Sequence, residues 1–351
     1  MQVLAGDIGG TKTLLAICDV SPLDGRTGAP SIEVLVSSRY DSRRFPGVGA
    51  ICRAFAAAVR RPMPRRAGFG VAGPVANGRS HTTNLPWIVD EKELAQALGI
   101  DSVRLANDFH ALALGIPAVK AADLVTLNQG ARDPKGAFAV IGAGTGLGEA
   151  IATLGAAGER EVLASEGGHC SFAPRNELEI AILEFLMERY GHVSWERVLS
   201  GDGLVNLAEA IAHVTGMRLE PSLAESIAAD RENAPAAVTT GAAAGDPLCR
   251  RTVELFCELY GSEAGNLALK TLATGGVYVA GGIAPKILDF MTDGRFRNAF
   301  VSKGRMRPVL EQMPVQIVLD TGAGVLGAAA LAARESELAP QTRHTPSTSP
   351  E

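Results

Sequence analysis

This 351-residue chain is poor in cysteine, in positive charge and in long apolar runs, and each shortage closes off a class of protein. Its five cysteines, Cys18, Cys52, Cys170, Cys249 and Cys257, are odd in number and never spaced as a CxxC pair. That is neither a disulfide framework nor a zinc ribbon, and it suits a reducing cytoplasm. Lys and Arg total 33 against 38 Asp and Glu, a net charge of −5. Such a molecule is repelled by phosphodiester backbones, so no nucleic acid is expected as a main partner. The uncharged stretch Thr271–Pro285 falls short of the roughly 18 apolar residues that span a membrane, and no membrane association is expected. The opening MQVLAGDIGG has no basic n-region, and Asp7 interrupts its apolar residues before they build an export signal.

Apolar residues, at 46%, and glycine, at 40 residues, are plentiful. The first supports a folded chain with a real core, and at roughly 150 residues per domain the length suggests about two domains. The glycine clusters mark places where the backbone turns sharply or approaches a ligand. Val3–Asp19 predicts a β-hairpin turning at Gly9-Gly10 and ending at Ser21-Pro22. A similar pattern returns at Ala137–Thr153, which implies an internal duplication. Short strands at Ala67–Ala72 and Ser102–Ala106 alternate with helical spacing at Glu91–Leu98 and Phe109–Leu114, an α/β arrangement. Glu177–Tyr190, Gly203–Thr215, Ser222–Ala229 and Pro247–Leu272 read as helices. Strands at Val277–Ala280 and Val315–Leu319 precede a closing helix over Gly322–Arg334. Leu338–Glu351, rich in Pro, Ser and Thr, predicts a disordered tail. The basic clusters Arg60–Arg66 and Arg295–Arg307 read as solvated surface.

GDIGGTKT, Gly6–Thr13, misses a Walker A loop by one residue, since Thr11 stands where the second glycine belongs, and a strand follows it instead of a helix. GAGTGLG, Gly142–Gly148, does not satisfy GxGxxG, so dinucleotide binding is set aside. An Asp-x-Gly-Gly-Thr hairpin offers instead a nest of backbone N–H groups and a threonine hydroxyl to phosphate oxygens. Asp7 adds the carboxylate that Mg²⁺ takes alongside substrate phosphates. Taken alone, the motif is explained equally well as an ordinary hairpin turn. A second turn at Gly144, Thr145 and Gly146 could grip the same polyphosphate from the opposite side, and two facing turns imply a cleft.

Asn107 and Asp108 stand where a strand gives way to a helix, at the rim of an α/β sheet where ligands bind. Asp108 could accept a hydroxyl proton there, and a helix N-cap explains the pair as well. Glu166-Gly167-Gly168-His169 could present a carboxylate and an imidazole to hydroxyls, or be a plain loop. His169 and Cys170 lack further ligands at zinc spacing. Glu196, in GHVSWERVLSG, reads as a helix start with its charge favoured by the dipole.

With these residues in view, the chain resembles the bacterial glucokinases of the proteobacterial type, within the actin-like sugar kinase superfamily. The likeness runs in order from about Leu4 to Leu331 through GDIGGT (Gly6–Thr11), TNLPW (Thr83–Trp87), AND (Ala106–Asp108) and GAGTGLG. EGGHCSFAP (Glu166–Pro174), GHVSWERVLSG (Gly191–Gly201) and VYVAGGI (Val277–Ile283) complete it. The resemblance implies Asp108 as catalytic base and Asn107, Glu166, His169 and Glu196 as glucose-binding residues. It implies a first phosphate loop of Gly6, Asp7, Ile8, Gly9, Gly10 and Thr11, with Asp7 oriented to Mg²⁺ through water. Thr145 and Gly146 fall in the second loop, and Gly281 and Gly282 line the adenosine side.

The fold implied is a two-domain actin-like ATPase (duplicated ribonuclease H-like) with an interdomain cleft. Residues 1–108 with about 320–335 would form a small domain, and 109–319 a large one. The activity implied is ATP-dependent phosphorylation of glucose at its 6-hydroxyl, with ATP and Mg²⁺, in a cytoplasmic homodimer. A kinase for another hexose, an actin-like ATPase indifferent to sugar and a sugar-responsive repressor on the same fold are the competing expectations. The repressor is disfavoured because a phosphate turn beginning at Gly6 leaves no room for a preceding helix-turn-helix. The Cys-rich zinc loop of the repressor/ORF/kinase sugar kinases does not follow His169.

Overall fold

The computed structural model describes residues 1–24, 29–82, 85–156, 158–231 and 233–334. The expected tail at Leu338–Glu351, and Thr83 and Asn84 of the TNLPW motif, lie outside the described residues.

Two sheets are built by the same sequence of events. In the first, β1 (Gln2–Ile8) and β2 (Lys12–Asp24) form an antiparallel hairpin in register from Gln2↔Asp19 to Ile8↔Thr13. β3 (Ala29–Asp41) extends it, and α1 (Val48–Ala58) leads to β4 (Arg66–Val71), which lies parallel to β1 on its free side. A small three-stranded sheet of β5 (Val75–Ala76), β6 (Arg79–His81) and β7 (Ile88–Asp90) follows, then α2 (Glu91–Leu98). β8 (Ser102–Asn107) then pairs parallel with β4, giving the order β3-β2-β1-β4-β8.

After α3 (Asp108–Gly115) and β9 (Leu124–Asn128), the hairpin of β10 (Phe138–Ala143) and β11 (Leu147–Leu154) repeats the plan, with β12 (Arg160–Ser165) outside it. Five helices intervene: α4 (Glu177–Tyr190), α5 (Gly201–Thr215), α6 (Pro221–Ala229), α7 (Ala234–Ala243) and α8 (Pro247–Thr271). β13 (Gly276–Ala280) then lies parallel to β10. Beyond α9 (Leu288–Thr292), α10 (Arg295–Val301) and α11 (Arg307–Glu311), β14 (Val315–Val318) completes the order β12-β11-β10-β13-β14-β9. The closing helix α12 (Ala323–Ala333) returns to pack on β1 and β4. The duplication expected from the two glycine hairpins is thus present in three dimensions.

Central strands such as β4 (RAGFGV) and β10 (FAVIGA) are buried on both faces, as parallel strands covered by helices must be. The first core gathers Leu4, Leu15, Phe55 and Phe69; the second, larger one gathers Ile141, Phe256, Tyr260, Val279 and Phe300. Fully burying each such side chain contributes about 1.5–3 kcal/mol. The pairs Ile8↔Val71 and Val71↔Asn107 align the carboxyl ends of β1, β4 and β8 at one edge, and Gly142↔Ala280 does the same for β10 and β13. Such edges are where open α/β sheets bind ligands. No helix among the described residues is long and apolar enough to cross a membrane.

Several elements depart from the expectations. β2 runs through Ser21-Pro22 to Asp24, with its register shifting near Val20 and Leu23. β3, β9 and β12 carry little alternation because they are outer strands with half-solvated side chains. α1 was legible in principle: Val48, Ile51, Cys52 and Phe55 are buried at helical spacing. The cluster Arg295–Arg307 is not simply solvated surface. Phe296 and Phe300 draw α10 against α8, so Arg295 pairs with Asp293 and Glu254, and Lys303 donates to Asn266 Oδ1 (2.6 Å) and Ser262 Oγ (3.2 Å).

α3 and α12 cross at nearly bare backbone: a methyl group at Gly327 would collide with Ala111 O, and one at Gly115 with Ala323 O. In an isolated helix Gly→Ala would stabilise by about 1 kcal/mol. At this crossing the sign reverses, and Gly327→Ala is expected to lose about 1–3 kcal/mol through overpacking. Chemical denaturation of the two proteins checks this; equal or greater stability in the variant would contradict the crossing.

Candidate functional site

The first turn closes with Gly9 N donating to Lys12 O (3.0 Å). Ser42, buried at the start of a single helical turn after β3, clasps it. Its N donates to Thr11 O (3.0 Å), its Oγ donates to Gly9 O (2.9 Å), and the same Oγ lies 2.9 Å from Thr13 Oγ1. Gly9 and Gly10 are half-exposed and Thr11 is exposed, so this backbone is open to a ligand. Gly6 and Ile8 lie inside β1, where a methyl at Gly6 would reach 2.5 Å from Phe69 and Ile8 is 1% exposed. What these two lend the turn is anchorage in the core. Ser42 gave no sequence signal, because its partners, two backbone carbonyls and the Thr13 hydroxyl, lie some thirty positions earlier.

Asp7 alternates out of that core. It points at the first turn of α12, where a methyl on Gly324 would lie 3.1 Å from Asp7 Oδ2. Burial, and then the charge of Asp108, pushes the Asp7 carboxyl up to about 6.

Asn107 is the N-cap of α3. Its Oδ1 accepts from Phe109 N (2.9 Å) and His110 N (3.4 Å), and its Nδ2 donates to Gly73 O (3.3 Å). The capping reading therefore holds for this residue. Asp108 opens the helix, its Oδ1 accepting from Phe109 N (3.0 Å). Burial raises its carboxyl, with Glu166 adding to the rise, while backbone N–H groups and Asn107 oppose it.

At the second edge, Gly144 N donates to Gly146 O (2.8 Å) and Gly201 N, at the start of α5, donates to Gly144 O (2.8 Å). Thr145 is exposed at the tip. Glu196 lies in the helical turn Trp195–Arg197, not in a solvated helix, and its Oε2 accepts from Leu147 N (3.0 Å) beside Gly146. Gly281, with φ +85°, packs against Ala143 O, and Ile283 N donates to the same carbonyl (3.3 Å). Only glycine holds that left-handed geometry without strain. Gly282 beside it faces open space. Thr145, Gly146, Gly281, Gly282 and Glu196 are therefore gathered at one edge.

Glu166 precedes the turn Gly167–His169 and His169 closes it, both exposed, with Oε2 and Nε2 3.9 Å apart. Trp195 N donates to Cys170 O (2.9 Å) and Phe172 N to Val193 O (2.9 Å), which ties this loop to the segment bearing Glu196. Beneath the loop lies Glu149, 3% exposed, its Oε2 pressed against Gly167 and its Oε1 without a hydrogen-bond partner among the described residues. Burial, then Glu263, pushes its carboxyl up to about 7. In the sequence Glu149 reads as one more strand residue.

The charge of Asp108 thus reaches Asp7, and the charge of Glu166 reaches Asp108. Among the described residues no three His, Cys, Asp or Glu side chains converge on a metal position. Mg²⁺ does not require such a cluster, since it takes one or two carboxylates alongside substrate oxygens and water.

A family model described as Glucokinase matches residues 4–335. The glucokinase of Nostoc punctiforme is 40% identical over 344 residues, covering 95% of this chain and 99% of its own length. The crystal structure of a glucokinase from an Antarctic psychrotroph superposes with a TM-score of 0.81 at 32% identity, over 94% of this chain and 98% of that one. A glucokinase of the ROK family from Streptomyces griseus, solved with glucose and AMPPNP, shares the fold at a TM-score of 0.61 and 23% identity, over 95% and 99% of the two chains.

A carboxyl whose folded-state pKa exceeds its unfolded one binds more protons when folded, so stability falls as pH rises between the two values. For Glu149 that window runs from 4.5 to about 7. Glu149→Gln should therefore gain on the wild type across this interval, by on the order of 2–3 kcal/mol at its upper end. Melting temperatures of both proteins from pH 5 to 8 check this, and a constant difference would contradict a buried, titrating Glu149.

Proposed function

The chain belongs to the glucokinase family, and from that premise we propose that it moves the γ-phosphoryl group of ATP to the 6-hydroxyl of glucose with Asp108 as general base. The observation that supports this reading is that Asp108 opens α3 just beyond the end of β8, near enough to Asp7 to raise its carboxyl and near enough to Glu166 to be raised by it. Asn107, Glu166, His169 and Glu196 hold the sugar, whose hydroxyls each donate and accept. Leu147 N orients the Glu196 carboxylate through Oε2 and leaves it acceptor sites for a sugar hydroxyl.

Backbone N–H groups of Gly9, Gly10 and Thr11 from one side, and of Thr145 and Gly146 from the other, orient the polyphosphate. Gly281 and Gly282 border the adenosine. Asp108 takes the O6 proton as the oxygen bonds to the γ-phosphorus and the bond from that phosphorus to the bridging oxygen of ADP breaks. Products are glucose 6-phosphate and ADP. Asp7 would hold Mg²⁺ through water, and the ion when bound neutralises charge on the phosphate oxygens. The crowding of Asp7 by Asp108 favours a cation beside them. Because the transition state is loose, positioning and charge supply most of the rate. Closure of residues 1–108 with about 320–335 onto 109–319 keeps water from the γ-phosphate. The same reading makes the enzyme a cytoplasmic homodimer with no nucleic acid or membrane partner.

Asp108→Asn should fold and bind glucose but lose about 10²- to 10⁴-fold in kcat. A coupled ADP assay with calorimetric glucose binding checks both halves, and near wild-type turnover would remove Asp108 from the role. Run across a panel of hexoses, with and without Mg²⁺, the same assay tests the substrate. ADP release indifferent to sugar would point to a plain ATPase, and a faster rate with another hexose would reassign the acceptor.

A further inference from the structure

Phe109 directly follows the proposed base, yet its ring leaves the first sheet. It lodges against Gly142 and Gly148, which face each other as paired residues of β10 and β11. The seat is close: a methyl on Gly142 would lie 2.7 Å from the ring Cζ, and one on Gly148 would overlap the ring edge. Gly142 precedes the turn Gly144–Gly146 and Gly148 follows it, so the ring sits at the root of the hairpin whose tip is the second phosphate turn. At its other end Phe109 holds the base. Its backbone N–H donates both to Asn107 Oδ1 (2.9 Å) and to Asp108 Oδ1 (3.0 Å). One residue thus binds the carboxylate through its amide and the opposite hairpin through its ring. Further along, α3 faces α12 through Ala111 and Gly115 and the second sheet through Leu112 and Ala113, so this ring is its grip on the second hairpin at the end nearest Asp108.

We propose that Phe109 is a positioning residue: seated in the Gly142–Gly148 socket, its ring sets the distance between the Asp108 carboxylate and the phosphate turn Gly144–Gly146. The inference rests on Asp108 being the base. Its physical content is that a smaller side chain, or a filled socket, lets the two edges settle apart or askew. A misplacement of about 1 Å costs about 10²-fold in rate. Glucose affinity should be spared, because the substitutions keep the backbone N–H that holds Asn107 and leave Glu166, His169 and Glu196 unchanged.

The test uses the full chain with Phe109→Leu, Gly148→Ala and the two combined. Each single variant should lose about 10- to 100-fold in kcat, with glucose affinity within about twofold of wild type and a cooperative melt. In the double variant the smaller side chain makes room for the new methyl, and kcat should rise above that of Gly148→Ala alone. Turnover within about twofold of wild type in both singles would overturn the proposal. So would losses that follow the unfolded fraction with no recovery in the double variant. Should Phe109→Leu not fold, Phe109→Met replaces it in both roles. Asp108→Asn, assayed beside them, separates the two readings: full activity there removes the base. An inactive Asp108→Asn with fully active socket variants removes the socket alone.

Discussion

Like charge held together in a half-buried place is the constraint from which this structure follows. Strand register sets the ends of β1 and β8 at one sheet edge with β4 between them. The carboxylates that result, Asp7 and Asp108, are close enough for the charge of one to raise the other. Nothing in folding gains from such crowding. In the proposed function it becomes an asset when a cation and a reacting hydroxyl arrive, because each would relieve part of the repulsion at the moment it is used. Sites of this kind sacrifice stability locally and depend on a rigid surround.

The surround is made rigid by small residues. The α3–α12 crossing lets backbone meet backbone, so Asp108 and the first turn of α12 sit on either side of Asp7 with little freedom. Close packing of this sort has few intermediate positions, which is what a catalytic constellation requires. The second hairpin uses the same economy differently, leaving two opposed glycines empty so that an aromatic ring from α3 can occupy them. The two halves of the duplication thus share a plan, and the contacts that join them are particular to each.

Much of this was legible in the residues. Both hairpins, the central strands and the long helices follow from apolar spacing and turn residues, signals contained within a dozen neighbours. α1 carried its own helical spacing and was legible in principle, although no helix was expected there. The outer strands β3 and β12 were not, because half-solvated strands need little alternation. The basic cluster after Asp293 misled for a related reason: charge reads as solvent-facing until Phe296 and Phe300 are seen to pull the helix inward.

Ser42 and Glu149 show the deeper limit. Ser42 earns its place through backbone atoms of the first turn, and Glu149 through a glycine in another strand's loop. Neither relation leaves a mark on the adjacent sequence. Local order along the chain determined which segments became strands, helices and turns, since those preferences are decided by near neighbours. Tertiary structure alone decided that Asp7 meets Asp108, that Glu196 receives Leu147 N and that Phe109 finds two glycines, because pairings between distant residues exist only once the chain has closed on itself.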